Sequence, residues 1–219
     1  MTDGGRCRAV IFDMDGVLTD SEPAFHAAAN DILARYGKHI SLQEYRQFIG
    51  VETPQMWRRL IALRDVPITV EEAVREYEAP LMARLREPRP PLPHARALLD
   101  ELRRRRVPLA LCSSSYRRWV DVILASAGLA PDFDAIVTGD MVARTKPDPE
   151  PYARAASMLG VAPDACLALE DSASGVRSAS AAGCRVVQVR ATATAAEAQP
   201  EASLVITSLA EFPFGLLRD

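Results

Sequence analysis

Short apolar runs alternate with amphipathic helical stretches along most of this chain, and this alternation constrains the fold more than any other feature. The runs occupy residues 10–12, 107–112, 135–137, 165–169, 186–189 and 204–206. Between them, apolar residues recur at helical spacing, as Tyr152, Ala156 and Leu159 do. Strands that alternate with helices predict βαβ units and a mostly parallel sheet. We therefore predict an α/β fold built on a doubly wound, Rossmann-like parallel sheet.

A long helical stretch interrupts this alternation after the first predicted strand. Apolar residues recur at helical spacing from about residue 21 to 87, and Met56, Leu60 and Leu63 form one such stripe. Prolines then cluster at positions 88, 90, 91 and 93, which is typical of a boundary. The sequence therefore predicts an α/β catalytic core at residues 1–20 plus 89–219 and an inserted all-helical cap at 21–88.

The composition of the chain indicates which binding partners and which cellular compartment to expect. The chain is 48% hydrophobic and 25% charged with a net charge of −3, which is ordinary for a globular protein and argues against nucleic acid or an anionic membrane as partner. No run approaches the roughly 18 apolar residues that a membrane span needs. The four cysteines form no CxxC pair, and residues 1–8 carry no apolar run after their charges. We expect buried thiols, no secretory signal, a cytoplasmic location and a monomer.

Polar and charged residues follow each of the first four predicted strands. Ligands of open parallel sheets bind off the carboxyl ends of the strands, so these residues are the candidates for a functional site. In chain order the candidates are Asp13 and Asp15 after the first strand, Ser113 and Ser114 after the second, Lys146 after the third, and Glu170 and Asp171 after the fourth. Together they bring carboxylates, hydroxyls and one ammonium group to one edge of the sheet.

These residue types suit phosphoryl transfer. Carboxylate oxygens are ligands for a hard cation such as Mg²⁺, while a lysine and serine hydroxyls can bind a phosphoryl group. Without a cation the carboxylates would repel one another and a phosphate, but Mg²⁺ and Lys146 reverse that balance. Asp13 could then attack phosphorus. Asp15 points the same way two residues later and could protonate the leaving oxygen and deprotonate a water.

The segment from Asp13 to Ser21 resembles the DxDGxxxDS signature of the haloacid dehalogenase superfamily. Ser113 after an apolar strand, the Lys146–Pro149 segment and Glu170-Asp171-Ser172 resemble the other three motifs of that family, in the family's order. The resemblance covers essentially the whole chain, and it is strong to the β-phosphoglucomutase-like and phosphoglycolate phosphatase-like members with a helical cap. It implies phosphoryl chemistry rather than dehalogenation, because an aspartate stands at the second position of the first motif.

The resemblance also implies roles for the acidic candidates. Asp13 would be the nucleophile and a Mg²⁺ ligand. Asp15 would be the general acid and base, with its backbone carbonyl on Mg²⁺. Asp171 would be the remaining carboxylate ligand of Mg²⁺, with Glu170 beside it as a further ligand or as a support behind the metal.

For the other candidates, the resemblance implies that Ser113, Ser114 and Lys146 bind the phosphate. The activity it implies is that of a Mg²⁺-dependent phosphatase. Such an enzyme would hydrolyse a small phosphorylated metabolite, of the sugar phosphate or phosphoglycolate type, through a phosphoaspartate intermediate. The cap would close over the site and supply the residues that set specificity.

Two other functions use similar residues. A sugar phosphomutase of the same family would carry a histidine where this chain has Phe25, and a cap arginine after a Gly-Val pair where this chain has Thr53 after Gly50-Val51-Glu52. Both departures favour the phosphatase. A receiver domain phosphorylated on aspartate would also use acidic residues, a hydroxyl, a lysine and Mg²⁺, but it has no use for a long helical insert.

Three residues of the four motifs, Asp13, Asp148 and Ser172, also have simpler structural interpretations. A calcium-binding loop starting at Asp13 would need an oxygen donor and a glutamate where Val17 and Ala24 stand, so that interpretation fails. Asp148 and Ser172 each precede a predicted helix, and we expect both to be N-cap residues rather than ligands.

Overall fold

The computed structural model describes residues 6–49, 51–192 and 195–218. Residues 1–5 of the N-terminal segment and Gly50 of the Gly50-Val51 pair therefore lie outside the described residues. The chain divides into two compact units, one formed by Met1–Asp20 and Pro90–Asp219 and the other by Ser21–Arg89. The roles of these units as catalytic core and specificity cap stay predictions.

The order of elements follows the alternation of the sequence. The strands are β1 (Ala9–Phe12), β2 (Leu109–Cys112), β3 (Ala135–Val137), β4 (Cys166–Glu170), β5 (Arg185–Val189) and β6 (Leu204–Ile206). The helices are α1 (Glu22–Ala34), α2 (Leu42–Tyr45), α3 (Thr53–Arg64), α4 (Val70–Leu85), α5 (Ala95–Arg104), α6 (Arg117–Ser126), α7 (Glu150–Met158) and α8 (Ala173–Ala181). Within the described ranges, no helix has the length and apolar character to cross a membrane.

The six described strands form one sheet in the order β3-β2-β1-β4-β5-β6, and every neighbouring pair is parallel. The chain therefore builds outward from β1 in one direction, then returns and builds outward from β4 in the other. This confirms the predicted doubly wound α/β fold. In such sheets the ligand crevice opens where the strand order reverses, which here lies between the carboxyl ends of β1 and β4.

Strand β1 lies at the centre of the sheet because its four residues are apolar and fit a position that is buried on both faces. Helices α7 and α8 cover one face, where Tyr152 and Val176 belong to the same buried cluster as Ile11. Right-handed crossovers place α5 and α6 on the opposite face. There Arg96 of α5 binds the Asp132 carboxylate, just after α6, through hydrogen bonds of 2.7 and 2.8 Å.

The unit Ser21–Arg89 is built from α1 to α4. Helix α4 begins at a capping box and packs against α1 and α3. The rings of Trp57 and Tyr77 meet edge to face, with centroids 5.5 Å apart. In the predicted stripe of α3, Met56 and Leu60 are buried, but Leu63 is 48% exposed. Leu63 belongs to the stripe by spacing but is exposed, because the buried residues of α3 end at Leu60 and its last turn is not covered.

Candidate active site

The first two candidate aspartates lie in a tight loop after β1. The N–H of Asp13 donates to a backbone carbonyl of β4 at 2.9 Å, which extends the sheet by one residue. The loop then closes on itself, since the N–H of Leu18 donates to the Met14 carbonyl at 2.9 Å. Gly16 has a φ of +77°, and a Cβ at this position would overlap the Asp171 carboxylate. Only glycine combines that conformation with so close an approach.

The ammonium group of Lys146 connects the ends of three strands. Its Nζ donates to Asp13 Oδ1 at 2.6 Å, to Glu170 Oε1 at 2.5 Å and to the backbone carbonyl of Cys112 at 2.9 Å. These contacts use all three of its protons. Burial alone would lower the pKa of Lys146, but the charges of Asp13 and Glu170 outweigh it and hold that pKa well above its usual value. Lys146 is therefore a fixed, buried cation.

The carboxylate of Glu170 is fully buried, and both of its oxygens are engaged. Oε1 accepts from Lys146 and, at 2.8 Å, from the hydroxyl of Tyr152. Oε2 accepts from the N–H of Asp171 at 3.1 Å, and from the N–H and hydroxyl of Ser172 at 3.2 and 3.0 Å. Five donors thus compensate the burial of this charge.

Asp13, Glu170 and Asp171 form an acidic cluster in which one carboxylate oxygen of each lies within 4.8 Å of the others. No described residue donates a hydrogen bond to the Asp171 side chain. Burial, reinforced by the charges of Asp13 and Glu170, raises the pKa of Asp171 to about 9. Burial also raises the pKa of Asp13 to about 7, although Lys146 opposes this rise. With all three carboxylates ionised, the acidic cluster would carry more negative charge than Lys146 can balance, so Asp13 and Asp171 hold protons more tightly than usual when no metal is bound.

Asp15 lies near the acidic cluster but is not one of its three members. Its charge contributes to the raised pKa values of Asp13 and Asp171. Its carboxylate is not part of the group within 4.8 Å, and the expected contact is between a metal and its backbone carbonyl. That contact stays a prediction.

The two candidate serines follow β2, which is the neighbour of β1. The N–H of Ser113 donates to the Val137 carbonyl at 3.0 Å, and its hydroxyl accepts from the N–H of Ser115 at 3.2 Å. In the described part of the chain, neither Ser113 nor Ser114 has a hydroxyl hydrogen bond to the acidic cluster. The structure therefore joins Asp13, Lys146, Glu170 and Asp171 directly, and places the serines on the adjacent strand end.

Two residues that the sequence pattern does not single out shape this site. Tyr152 occupies an apolar helix face by spacing alone, yet its hydroxyl binds Glu170. Gly175 lies in the first turn of α8, and a Cβ there would overlap the Glu170 carboxylate. Only two sequence signals could have pointed to these residues. One is the polar hydroxyl of Tyr152 on a ring expected to be buried, and the other is the position of Gly175 inside a helix.

The two N-cap predictions have different outcomes. For Ser172 the prediction is confirmed, because its hydroxyl accepts from the N–H of Gly175 at 3.0 Å, and the same hydroxyl also donates to Glu170. For Asp148 it is wrong, since α7 begins at Glu150 and its N-cap is Pro149. Asp148 lies one position too early, although its Oδ1 still accepts from the N–H of Glu150 at 3.0 Å.

Comparison with known proteins identifies the family. The model of the haloacid dehalogenase-like hydrolases matches residues 7–183, and the chain belongs to this family. It is 32% identical over 187 residues to the fructose-1-phosphate phosphatase YqaB of Escherichia coli K12, a match that covers 84% of this chain and 97% of that protein. The chain is a phosphatase, a hydrolase of phosphoric monoesters, as the sequence predicts.

Two further similarities concern length and fold. SUPPRESSOR OF QUENCHING 1 of Arabidopsis thaliana, a chloroplastic protein, is 32% identical over 194 residues, but the match spans 87% of this chain and only 18% of that protein. The crystal structure of CbbY from Rhodobacter sphaeroides in complex with phosphate has a TM-score of 0.84 and 28% identity, and the alignment covers 94% of this chain and 96% of CbbY. The same architecture therefore occurs in a protein that holds phosphate.

Proposed function

We propose that this protein is a Mg²⁺-dependent phosphatase that hydrolyses a small phosphorylated sugar through a phosphoaspartate formed on Asp13. The observation that carries this proposal is the contact of Lys146 with Asp13 beside an acidic cluster whose three carboxylates, when ionised, would exceed the charge of Lys146. A buried cation holds one oxygen of the candidate nucleophile. The remaining carboxylate charge suits a metal.

The residues present fit Mg²⁺ in both charge and chemistry. The carboxylate of Asp171 is buried, and no described residue bonds it. Burial and then the charges of Asp13 and Glu170 raise its pKa to about 9, and a divalent cation would offset those charges. Asp13, Asp171 and the backbone carbonyl of Asp15 would hold the ion, because hard cations take oxygen ligands. When bound, Mg²⁺ would supply positive charge against the phosphoryl oxygens.

In the first step, a carboxylate oxygen of Asp13 attacks phosphorus and forms a P–O bond while the ester P–O bond breaks. The charge of Lys146 lowers the pKa of Asp13 against the effect of burial and so favours its ionised form, and Nζ holds Oδ1, which leaves Oδ2 for the attack. Asp15 gives its proton to the leaving alkoxide, which departs as the alcohol.

In the second step, the Asp15 carboxylate takes a proton from a water that attacks phosphorus. The bond between phosphorus and Asp13 breaks, and inorganic phosphate leaves. Asp15 is protonated again and ready for the next cycle. Ser113 and Ser114 follow the neighbouring strand, and we propose that their hydroxyls donate to the phosphoryl oxygens, whose charge Lys146 helps to balance.

The substrate class is proposed from the relatives. YqaB is a fructose-1-phosphate phosphatase, and its match extends over nearly its whole length. We infer that this chain also acts on a phosphorylated sugar or sugar alcohol, with specificity set by residues between 21 and 88. The proposed compartment is the cytoplasm, and all four cysteines are free and buried, as expected for a reducing environment.

The direct test is the replacement Asp13→Asn, which removes the nucleophile and keeps the shape of the side chain. We expect the wild type to release inorganic phosphate from sugar phosphates only when Mg²⁺ is present, and the variant to release none. Asp121→Asn, which changes an exposed aspartate of α6, is the matched control and should leave release unchanged. Unchanged turnover in Asp13→Asn contradicts the proposal. Interconversion of hexose phosphates with little free phosphate would instead support a phosphomutase.

A further inference from the structure

Tyr152 lies next to the acidic cluster, although the sequence pattern gives it only a packing role. It is fully buried in the first turn of α7, six residues after Lys146. Its ring lies under the ammonium group, with Nζ 5.1 Å from the ring centroid, and its hydroxyl donates to Glu170 Oε1 at 2.8 Å. The same side chain therefore contacts both members of a buried ion pair.

Glu170 Oε1 is shared between Tyr152 and Lys146. The other oxygen is held by three donors from the backbone and side chain that follow β4. A carboxylate offers about four lone-pair sites, so five donors leave it no unused acceptor and no freedom to rotate. Glu170 thus acts as a fixed internal anion, and its Oε1 lies between the Tyr152 hydroxyl and the Lys146 ammonium group.

Lys146 depends on that fixed anion for its own position. Its three protons go to Glu170, Asp13 and the Cys112 carbonyl, and its side chain is only 4% exposed. A displacement of Oε1 would therefore pull the ammonium group away from Asp13. Because Tyr152 reaches Asp13 only through Glu170 and Lys146, it touches no reacting atom.

We propose that Tyr152 is a positioning residue, whose hydroxyl holds Glu170 so that the Lys146 ammonium stays against the nucleophilic carboxylate of Asp13. The catalytic part of this inference rests on the phosphatase function proposed above. The structural part of the inference, which concerns the position of Lys146, does not depend on that function. The competing explanation is that Tyr152 fills space between α7 and the sheet, in which case its ring matters and its hydroxyl does not.

The variant Tyr152→Phe separates these two explanations, because it removes the hydroxyl and keeps the ring. The chain has only two lysines, Lys38 and Lys146, so labelling lysine with ¹⁵N gives at most two ammonium signals. Lys146 is buried with three acceptors and should exchange its protons slowly enough to be seen by NMR, whereas Lys38 is partly exposed. We expect the Lys146 ¹⁵Nζ signal to shift or broaden in the variant.

Steady-state kinetics supply the second measurement. We expect kcat to fall about tenfold in Tyr152→Phe while KM changes less than about twofold, as is typical when a group supporting a site is lost. The matched control is Tyr77→Phe, which also deletes a buried hydroxyl, here bonded to the Phe25 carbonyl at 3.1 Å. Thermal unfolding should show a loss of stability in both variants, but the Lys146 signal should move only in Tyr152→Phe.

An unchanged Lys146 signal, or an unchanged kcat, in folded Tyr152→Phe overturns the positioning role. If that variant does not fold, wild-type protein made with 3,5-difluorotyrosine tests it instead, because a more acidic hydroxyl at position 152 must move the Lys146 signal. If the Lys146 signal does not move in the fluorinated protein, the inference is also overturned. The NMR result needs no turnover, so a wild type without phosphatase activity would refute the proposed function and leave the Lys146 test intact.

Discussion

Lys146 and Asp13 are 133 residues apart in the chain and 2.6 Å apart in the fold. The pair joins the loop after β3 to the residue that follows β1, across the intervening strand β2. Glu170 at the end of β4 completes the contact from the other side. The sheet order therefore places one buried cation between two carboxylates from different strands, and the predictions below test what that arrangement does.

Replacing Lys146 with methionine removes the charge and keeps most of the side-chain length. Asp13 and Glu170 would then be buried without their cation, and the already raised pKa of Asp13 would rise further. We expect kcat to fall by about 10²–10³, as when one preorganised electrostatic group is lost. Breaking one partner of a buried pair should also cost about 3–5 kcal/mol of stability.

Phosphate release and chemical denaturation measure these two effects. Lys38→Met is the natural control, since Lys38 is the only other lysine and lies in the unit Ser21–Arg89. A Lys146→Met variant with near wild-type turnover would show that the contact with Asp13 has no catalytic role.

Gly175→Ala tests the close approach of α8 to Glu170. An alanine inside a helix normally stabilises it by about 1 kcal/mol relative to glycine. Here the added Cβ would overlap the Glu170 carboxylate, so we expect loss of both stability and turnover instead. Gly215→Ala, where a Cβ would meet open space, is the control. A gain in melting temperature with full activity in Gly175→Ala would refute the proposed packing.

The raised pKa values predict how metal and pH act together. Asp171 and Asp13, with pKa values of about 9 and about 7 in the metal-free protein, keep protons that the unfolded chain releases near pH 4. The metal-free protein should therefore lose stability as pH rises from about 4 to 9, because the unfolded state binds fewer protons than the folded state. Mg²⁺ must displace the same protons, so its affinity should rise over this range.

Thermal unfolding with and without saturating Mg²⁺ checks this prediction. The rise in melting temperature on adding Mg²⁺ should be larger at pH 8 than at pH 5. In Asp171→Asn, which cannot ionise at this position, the rise should be small at both values. An increase that is the same at pH 5 and pH 8 in the wild type would contradict the proposed metal site.

Much of the fold follows from local sequence signals. Strand β1 is recognisable because a central parallel strand is buried on both faces and so must be a continuous apolar run. Ser172 is recognisable as an N-cap because a hydroxyl there satisfies a free N–H at the start of α8. Such features depend on neighbours in the chain and can be read from a few residues.

The features that sequence analysis misses depend on contacts between distant segments. Tyr152 and Gly175 matter because α7 and α8 both approach Glu170, and no local pattern encodes that meeting. The exposure of Leu63 is likewise set by how far the packing of α3 extends. The periodicity of apolar residues shows that a helix has an apolar side, but it does not show at which residue the burial of that side ends.

We propose that Asp13 becomes phosphorylated and that Asp15 activates the water that frees it. Asp15→Asn separates the two steps when the substrate is p-nitrophenyl phosphate, because that leaving group departs without a proton. Turnover of an alkyl phosphate, which needs the acid, should fall by about 10²–10⁴ in this variant. With p-nitrophenyl phosphate the first step should proceed and the second should stall.

The most direct measurement is rapid-quench analysis of Asp15→Asn with p-nitrophenyl phosphate and Mg²⁺. We expect a burst of one p-nitrophenol per protein molecule. After acid quench and digestion, the peptide that contains Asp13 should be heavier by the mass of one phosphoryl group. No burst together with an unmodified Asp13 peptide, or a phosphoryl group on a different residue, would contradict the phosphoaspartate mechanism.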